Sequence, residues 1–122
     1  MELNKITETI IGRAIEVHRH LGPGLLESIY ETALCVELDE IGLNYSRQHV
    51  LSVLYKKRKI GDFKIDLLIE NSVVVELKSV ERHDPVFEAQ ILSYMKLGGF
   101  PLGLLINFNS KLLKTGIRRF IL

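Results

Sequence analysis

After Gly42 the hydrophobic period of this 122-residue chain changes from that of a helix to that of a strand, which points to helices packed on a sheet. Upstream, Ile6, Ile10, Ala14, Val17 and Leu21 recur at spacings of three and four, the stripe of an amphipathic helix. Gly22-Pro23-Gly24 should end it, because glycine caps helices and proline cannot continue one. A second helix, with Leu26, Ile29, Tyr30, Ala33, Leu34, Leu38 and Ile41 on its buried side, is expected to stop at Gly42. Residues 50–55 then read as a strand, and Lys56-Lys57-Arg58-Lys59 leads to a turn expected near Gly61. Residues 63–69 are apolar at odd positions, Glu70-Asn71-Ser72 is a turn, and residues 73–79 form a third strand. Pro85 opens a helix that runs through Phe87, Ile91, Leu92, Tyr94 and Met95 to Gly98-Gly99. Residues 102–106 are wholly apolar, as in a strand buried on both faces, and residues 116–122 alternate as a last strand. The predicted order is ααβββαβ(β), an α/β fold with a mixed sheet flanked by helices.

No repeat, linker or low-complexity tract divides the chain, so residues 1–122 are expected to form a single domain. The lone Cys35 permits no internal disulfide. The first residues lack the order of a signal peptide, and no apolar run approaches the roughly 18 residues that cross a bilayer. A cytoplasmic protein without membrane contact is expected. The 16 basic and 15 acidic residues nearly cancel, but unevenly. Residues 1–44 carry eight acids and three bases, and residues 45–122 carry seven acids and thirteen bases. The excess concentrates in Lys56, Lys57, Arg58 and Lys59, with Arg47 and Lys64 nearby and only Asp62 opposing. Such a stripe suits a polyanion. It equally suits a solvated hairpin whose lysines protect a sheet edge.

The stretch from 63 to 79 places charges where strands do not favour them. Asp66 interrupts one apolar strand, and Glu76 and Lys78 interrupt the next. Glu76 and Lys78 are two apart and leave the same face. A three-residue turn sets Asp66 opposite Glu76 and pointing the same way, whereas a two-residue turn puts them on opposite faces. Like charges directly opposite destabilise a sheet. Partly burying them costs on the order of several kcal/mol unless something compensates. Convergent carboxylates suit a hard divalent cation, and the Leu77 carbonyl offers a third oxygen. The alternative is a structural ion pair in which Lys78 neutralises the carboxylates.

Asp66 followed by Glu76-Leu77-Lys78 resembles the signature of the PD-(D/E)XK nuclease superfamily. Gly24-Leu25-Leu26-Glu27-Ser28-Ile29-Tyr30 is similar to the GxxExxY motif that names one small branch of it. Gln90-Ile91-Leu92-Ser93-Tyr94 resembles the Gln-xxx-Tyr element that many such nucleases carry on the helix after the catalytic strand. The resemblance implies a restriction-endonuclease-like core and Mg²⁺-dependent phosphodiester hydrolysis, with Mn²⁺ as a possible substitute. In that role Asp66, Glu76 and the Leu77 carbonyl hold the ion, which offsets charge on a non-bridging phosphate oxygen. Lys78 orients the attacking water or helps deprotonate it. Glu27, in the first turn of the second helix, binds the ion directly or through water, although the helix macrodipole alone favours an acid there. Gln90 and Tyr94 share a helical face, where Gln90 contacts the phosphate or the ion's water, or else faces solvent. Lys56, Lys57, Arg58, Lys59 and Tyr94 are the expected nucleic-acid contacts. Tyr30 is expected in the core.

Other polar residues carry less. His18 and His20 lie about 200° apart around their helix, and His49 and His83 have no partner at ligand spacing, so no histidine metal site is expected. Cys35 reads as a small buried residue, and Asn107 and Asn109 as turn formers. Two function classes remain. One is a nuclease acting on DNA, expected as a homodimer that cleaves by structure rather than by a long sequence. The other is a catalytically silent nucleic-acid- or protein-binding module of the same fold. The intact Asp66, Glu76 and Lys78 favour the first.

Overall fold

A computed structural model describes residues 1–122, and its elements follow the predicted order. Helices α1 (Leu3–Leu21) and α2 (Glu27–Ile41) precede strands β1 (Tyr45–Tyr55), β2 (Arg58–Ile69) and β3 (Val73–Lys78). Helix α3 (Pro85–Gly98) leads to β4 (Leu102–Asn107), a 3-10 turn at Leu113–Gly116, and β5 (Ile117–Ile121). Gly42 ends α2 in the left-handed conformation at φ 72°. Asp84 caps α3 by accepting from the Val86 N–H, with Pro85 at the first helical position. The strands form one five-stranded sheet in the order β1-β2-β3-β4-β5. Only β3 and β4 run parallel, and α3 makes the crossover that such a pair requires.

The sheet separates two apolar layers. On one face, α1 and α2 pack with Leu67, Ile69, Val73, Val75, Leu77, Leu102, Leu104 and Ile106 in a cluster of 19 buried residues. On the other, Ile91 and Met95 of α3 pack with Ile65, Leu68, Val74 and Leu105 in a cluster of only six. Strand β4 contributes to both, in accord with its unbroken apolar run. Its Gly103 lets α3 approach closely, since a Cβ there would lie 2.6 Å from Met95 Sδ.

Three local features depart from the sequence expectations. The buried stripe of α2 is Tyr30, Glu31, Leu34, Cys35 and Leu38, while Leu26 and Ile29 face solvent. The helix begins at Glu27 and is rotated so that an acid, Glu31, enters the core face. The β1–β2 turn lies within the basic run rather than near Gly61: Tyr55 pairs with Arg58 across Lys56 and Lys57, both at positive φ. A two-residue turn of this kind ordinarily takes Asn-Gly, so the lysines gave no signal. Gly61 instead pairs with Val53 beside a bulge. Strand β1 also begins earlier than predicted, because Ser46, Arg47 and Gln48 break its alternation. Since β2 pairs with β3 only through Leu67, Leu68 and Ile69, the rest of the β1–β2 hairpin runs past the sheet as a two-stranded arm.

Candidate active site

Asp66 and Glu76 meet where the β2–β3 ladder stops. The turn Glu70-Asn71-Ser72 has three residues, so the register Leu67↔Val75 would next set Asp66 opposite Glu76. No backbone pair forms there. The Asp66 N–H donates to Glu76 Oε2 at 3.2 Å, and the Leu77 N–H donates to Asp66 Oδ2 at 2.9 Å. Each carboxylate therefore takes a backbone donor that a regular ladder would have used. Strict alternation also fails at this point, because Ile65 and Leu68 both pack toward α3 while Leu67 packs toward α1 and α2. The strand turns locally at Asp66. In an extended strand the N–H and C=O of one residue point to the same edge, so the Leu77 carbonyl faces the edge where Asp66 lies.

Burial and the Asp66 charge push the Glu76 carboxyl up to about 9, and Glu76 retains only 7% of its surface in solvent. The ion-pair alternative is not realised. Lys78 forms no salt bridge; its Nζ lies over the Phe87 ring, 4.4 Å from the centroid. Two adjoining carboxyl groups without a paired side-chain cation form an electrostatically incomplete site, and a hard divalent cation would complete it. No three His, Cys, Asp or Glu side chains are gathered at metal-binding spacing. Two carboxyl groups and the Leu77 carbonyl would suit a hard divalent cation that keeps several of its own waters.

Glu27 is the first residue of α2 and exposed at its surface. Partial burial raises its carboxyl pKa; Lys78 opposes that rise, and Asp66 and Glu31 add to it, which brings Glu27 electrostatically into this group. The preceding loop is fastened from two sides. The buried Tyr30 stacks on Phe108, and its hydroxyl donates to the Gly22 carbonyl while accepting from the Leu25 N–H. Ser79, next to Lys78, donates to the Leu25 carbonyl at 2.6 Å. Tyr30 is a core residue, as expected, and it also anchors the start of α2. Asn107 bonds the Val80 backbone through both its amide atoms, holding the end of β3.

Tyr94 stacks on Phe63 at 4.1 Å, and its hydroxyl pKa is raised by burial and by the charges of Glu76 and Asp66. Gln90, one turn earlier, is exposed. The basic run lies on the far arm: Lys56 over the Tyr55 ring, Lys57 beside it, Arg58 exposed, and Lys59 paired with Asp62 at 3.1 Å. Arg118 and Arg119 diverge, toward Glu88 and Asn4 respectively.

Three participants had no place in the sequence expectations: Glu31, Gln48 and Ser79. Glu31 is buried and accepts from Arg47 Nε and Nη2 at 3.0 and 2.9 Å, and from Gln48 Nε2 at 2.8 Å. A signal for it existed. Glu31 falls between Tyr30 and Leu34 on the apolar stripe of α2, where an unpaired acid would be costly.

A family model for the PD-(D/E)XK nuclease superfamily matches residues 4–120, and the chain belongs to that superfamily. Its three helices and five-stranded mixed sheet are the restriction-endonuclease-like fold. The superfamily consists generally of nucleases, which usually use divalent metals. No curated protein and no solved structure matches the chain. No helix is long and apolar enough to cross a membrane.

Proposed function

We propose that the protein is a Mg²⁺-dependent nuclease of the GxxExxY branch that hydrolyses phosphodiester bonds in DNA. The observation that carries this reading is the meeting of Asp66 and Glu76 at the interrupted strand edge, without a paired cation, beside Lys78. Asp66, Glu76 and the Leu77 carbonyl would hold the ion, with Glu27 reaching it through water. When bound, the ion supplies Lewis-acid neutralisation of a non-bridging phosphate oxygen. Lys78, carried on the same strand face as Glu76, orients the attacking water and meets the charge developing on the phosphoryl group. Tyr30 and Ser79 keep Glu27 beside Lys78 through the Leu25 backbone. Gln90 and Tyr94 line the α3 side, where they contact the substrate backbone. Lys56, Lys57, Arg58 and Lys59 bind phosphates farther along the duplex.

The test is nicking of supercoiled plasmid and branched DNA with Mg²⁺ or Mn²⁺. Wild type should cleave with the ion and not in EDTA, and Lys78→Ala should lower the rate by about 100-fold or more. Equal cleavage by both proteins would remove this site as its source. DNA binding without cleavage would make the protein a silent binding module.

A further inference from the structure

We propose that Gln48 is a positioning residue for the Asp66 carboxylate, with Glu31 and Arg47 as its anchor; this rests on the nuclease reading. Gln48 Nε2 donates to Glu31 Oε1 at 2.8 Å and to Asp66 Oδ1 at 3.3 Å. The two carboxylates fix the amide's orientation, since the reversed amide would turn its oxygen toward both. The anchor is firm. Arg47 binds Glu31 Oε2 through two nitrogens and reaches Thr32 Oγ1 at 3.0 Å, so both Glu31 oxygens are engaged on the buried face of α2. Glu31 is thereby spent as a support.

The other end of the chain of bonds is the functional one. With Oδ2 held by the Leu77 N–H and Oδ1 by Gln48, the Asp66 carboxylate is fixed at two points. Its terminal torsion is otherwise broad, and a loosely rotating carboxylate is a poor ligand. The backbone is bent to achieve this. Gln48 sits at φ 47° within a strand, a conformation that residues with a Cβ seldom adopt. The register on either side, Arg47↔Leu67 and His49↔Ile65, is unbroken, so the irregularity is confined to Gln48 and Asp66. Strain of this kind, at a residue bonded to a candidate ligand, is characteristic of functional sites.

A purely structural role, tying β1 to α2, predicts a different outcome, and two variants separate the possibilities. Gln48→Gly removes the amide and accommodates the positive φ; Gln48→Leu removes the amide and keeps bulk. Mn²⁺ binding to the full chain is measured by calorimetry, alongside thermal melts in EDTA. Both variants should raise the dissociation constant about 10- to 100-fold, as loss of a ligand's supporting partner does. Gln48→Gly relieves the positive φ but leaves Glu31 Oε1 without its donor, so it should melt no lower than Gln48→Leu, and its cleavage rate should recover as Mn²⁺ is raised to saturation. Unchanged affinity in the variants, with wild type binding the ion, overturns the proposal alone. A wild type that binds no ion overturns the nuclease reading together with it.

Discussion

On the α1/α2 face of the sheet, 19 buried residues form an apolar layer that includes Tyr30, Leu34 and Leu104. On the α3 face only six do, and the same side carries Phe63, Phe87 and Tyr94 around Glu76 and Lys78. The two faces are assigned different work. A thick layer can hold the sheet, with its one buried acid, Glu31, paired with Arg47, while the thin one tolerates a buried carboxyl without a paired cation, a bent strand and a lysine held over an aromatic ring. Unpaired charges of this kind destabilise the side on which they sit, and here the opposite face supplies most of the burial.

The largest test breaks the thick face. Leu104→Ala removes a fully buried side chain between α1, α2 and the sheet and should cost about 2–5 kcal/mol. Denaturant unfolding in EDTA measures that loss. Ion affinity, measured well below the melting transition, should stay at the wild-type value. A parallel fall in affinity would mean that the two faces are not separable.

The second concerns pH. Glu76 titrates near 9 in the folded, ion-free protein, above its ordinary 4.5. A group raised in this way contributes stability that is fully present below its unfolded pKa and lost as pH rises through the folded one. Ion-free protein should therefore weaken between about pH 6 and pH 8, by up to about 1.4 kcal/mol per unit. Glu76→Gln should flatten that slope. Parallel unfolding curves for wild type and variant across this range would refute the raised pKa.

How much of this was legible differs between the faces. The stripe of α1 from Ile6 to Val17, though not the exposed Leu21, and the apolar run of β4 announced themselves, because burial against a large layer imposes a period on sequence. Asp66, Glu76 and Lys78 were legible as violations of such a period. Glu31 was legible only as an acid on an apolar stripe, and its partners Arg47 and Gln48, like Ser79, were not, since each acts through a tertiary bond. Arg47 lies 16 residues from Glu31, and Leu25 lies 54 from Ser79. The turn at Lys56 and Lys57 was hidden because its residues are not those that φ > 0 selects.

A smaller effect sharpens the account of the thin face. Asp66→Asn removes one of two adjoining acids and lets Glu76 ionise more readily. Above about pH 9, where Glu76 ionises and the two acids repel each other, it should leave ion-free protein as stable as wild type or up to about 0.5–2 kcal/mol more stable. Wild type in about 10 mM Mg²⁺, with a dissociation constant of order 1 mM, should gain about 1.4 kcal/mol, a rise of about 3–6 °C in Tm. The variant should not gain. A loss of more than about 1 kcal/mol in EDTA would instead mean that Asp66 supports the fold.

The smallest effect on stability is expected on the arm, which belongs to neither face. Lys56, Lys57 and Arg58 are exposed, and none is held by a salt bridge, whereas Lys59 is paired with Asp62. Changing the first three to Ala should alter unfolding free energy by no more than about 0.5 kcal/mol, as surface substitutions generally do. DNA affinity should respond much more strongly. Each lost phosphate contact flattens the slope of log K against log salt by about 0.9, so the triple variant should lose up to about 2.7. Lys59→Ala alone should change it less, because its charge is already partly met by Asp62. Filter or fluorescence titrations in EDTA over a range of salt read these slopes without cleavage. A triple variant with the wild-type slope would move the DNA off the arm and onto the sheet's α3 face alone.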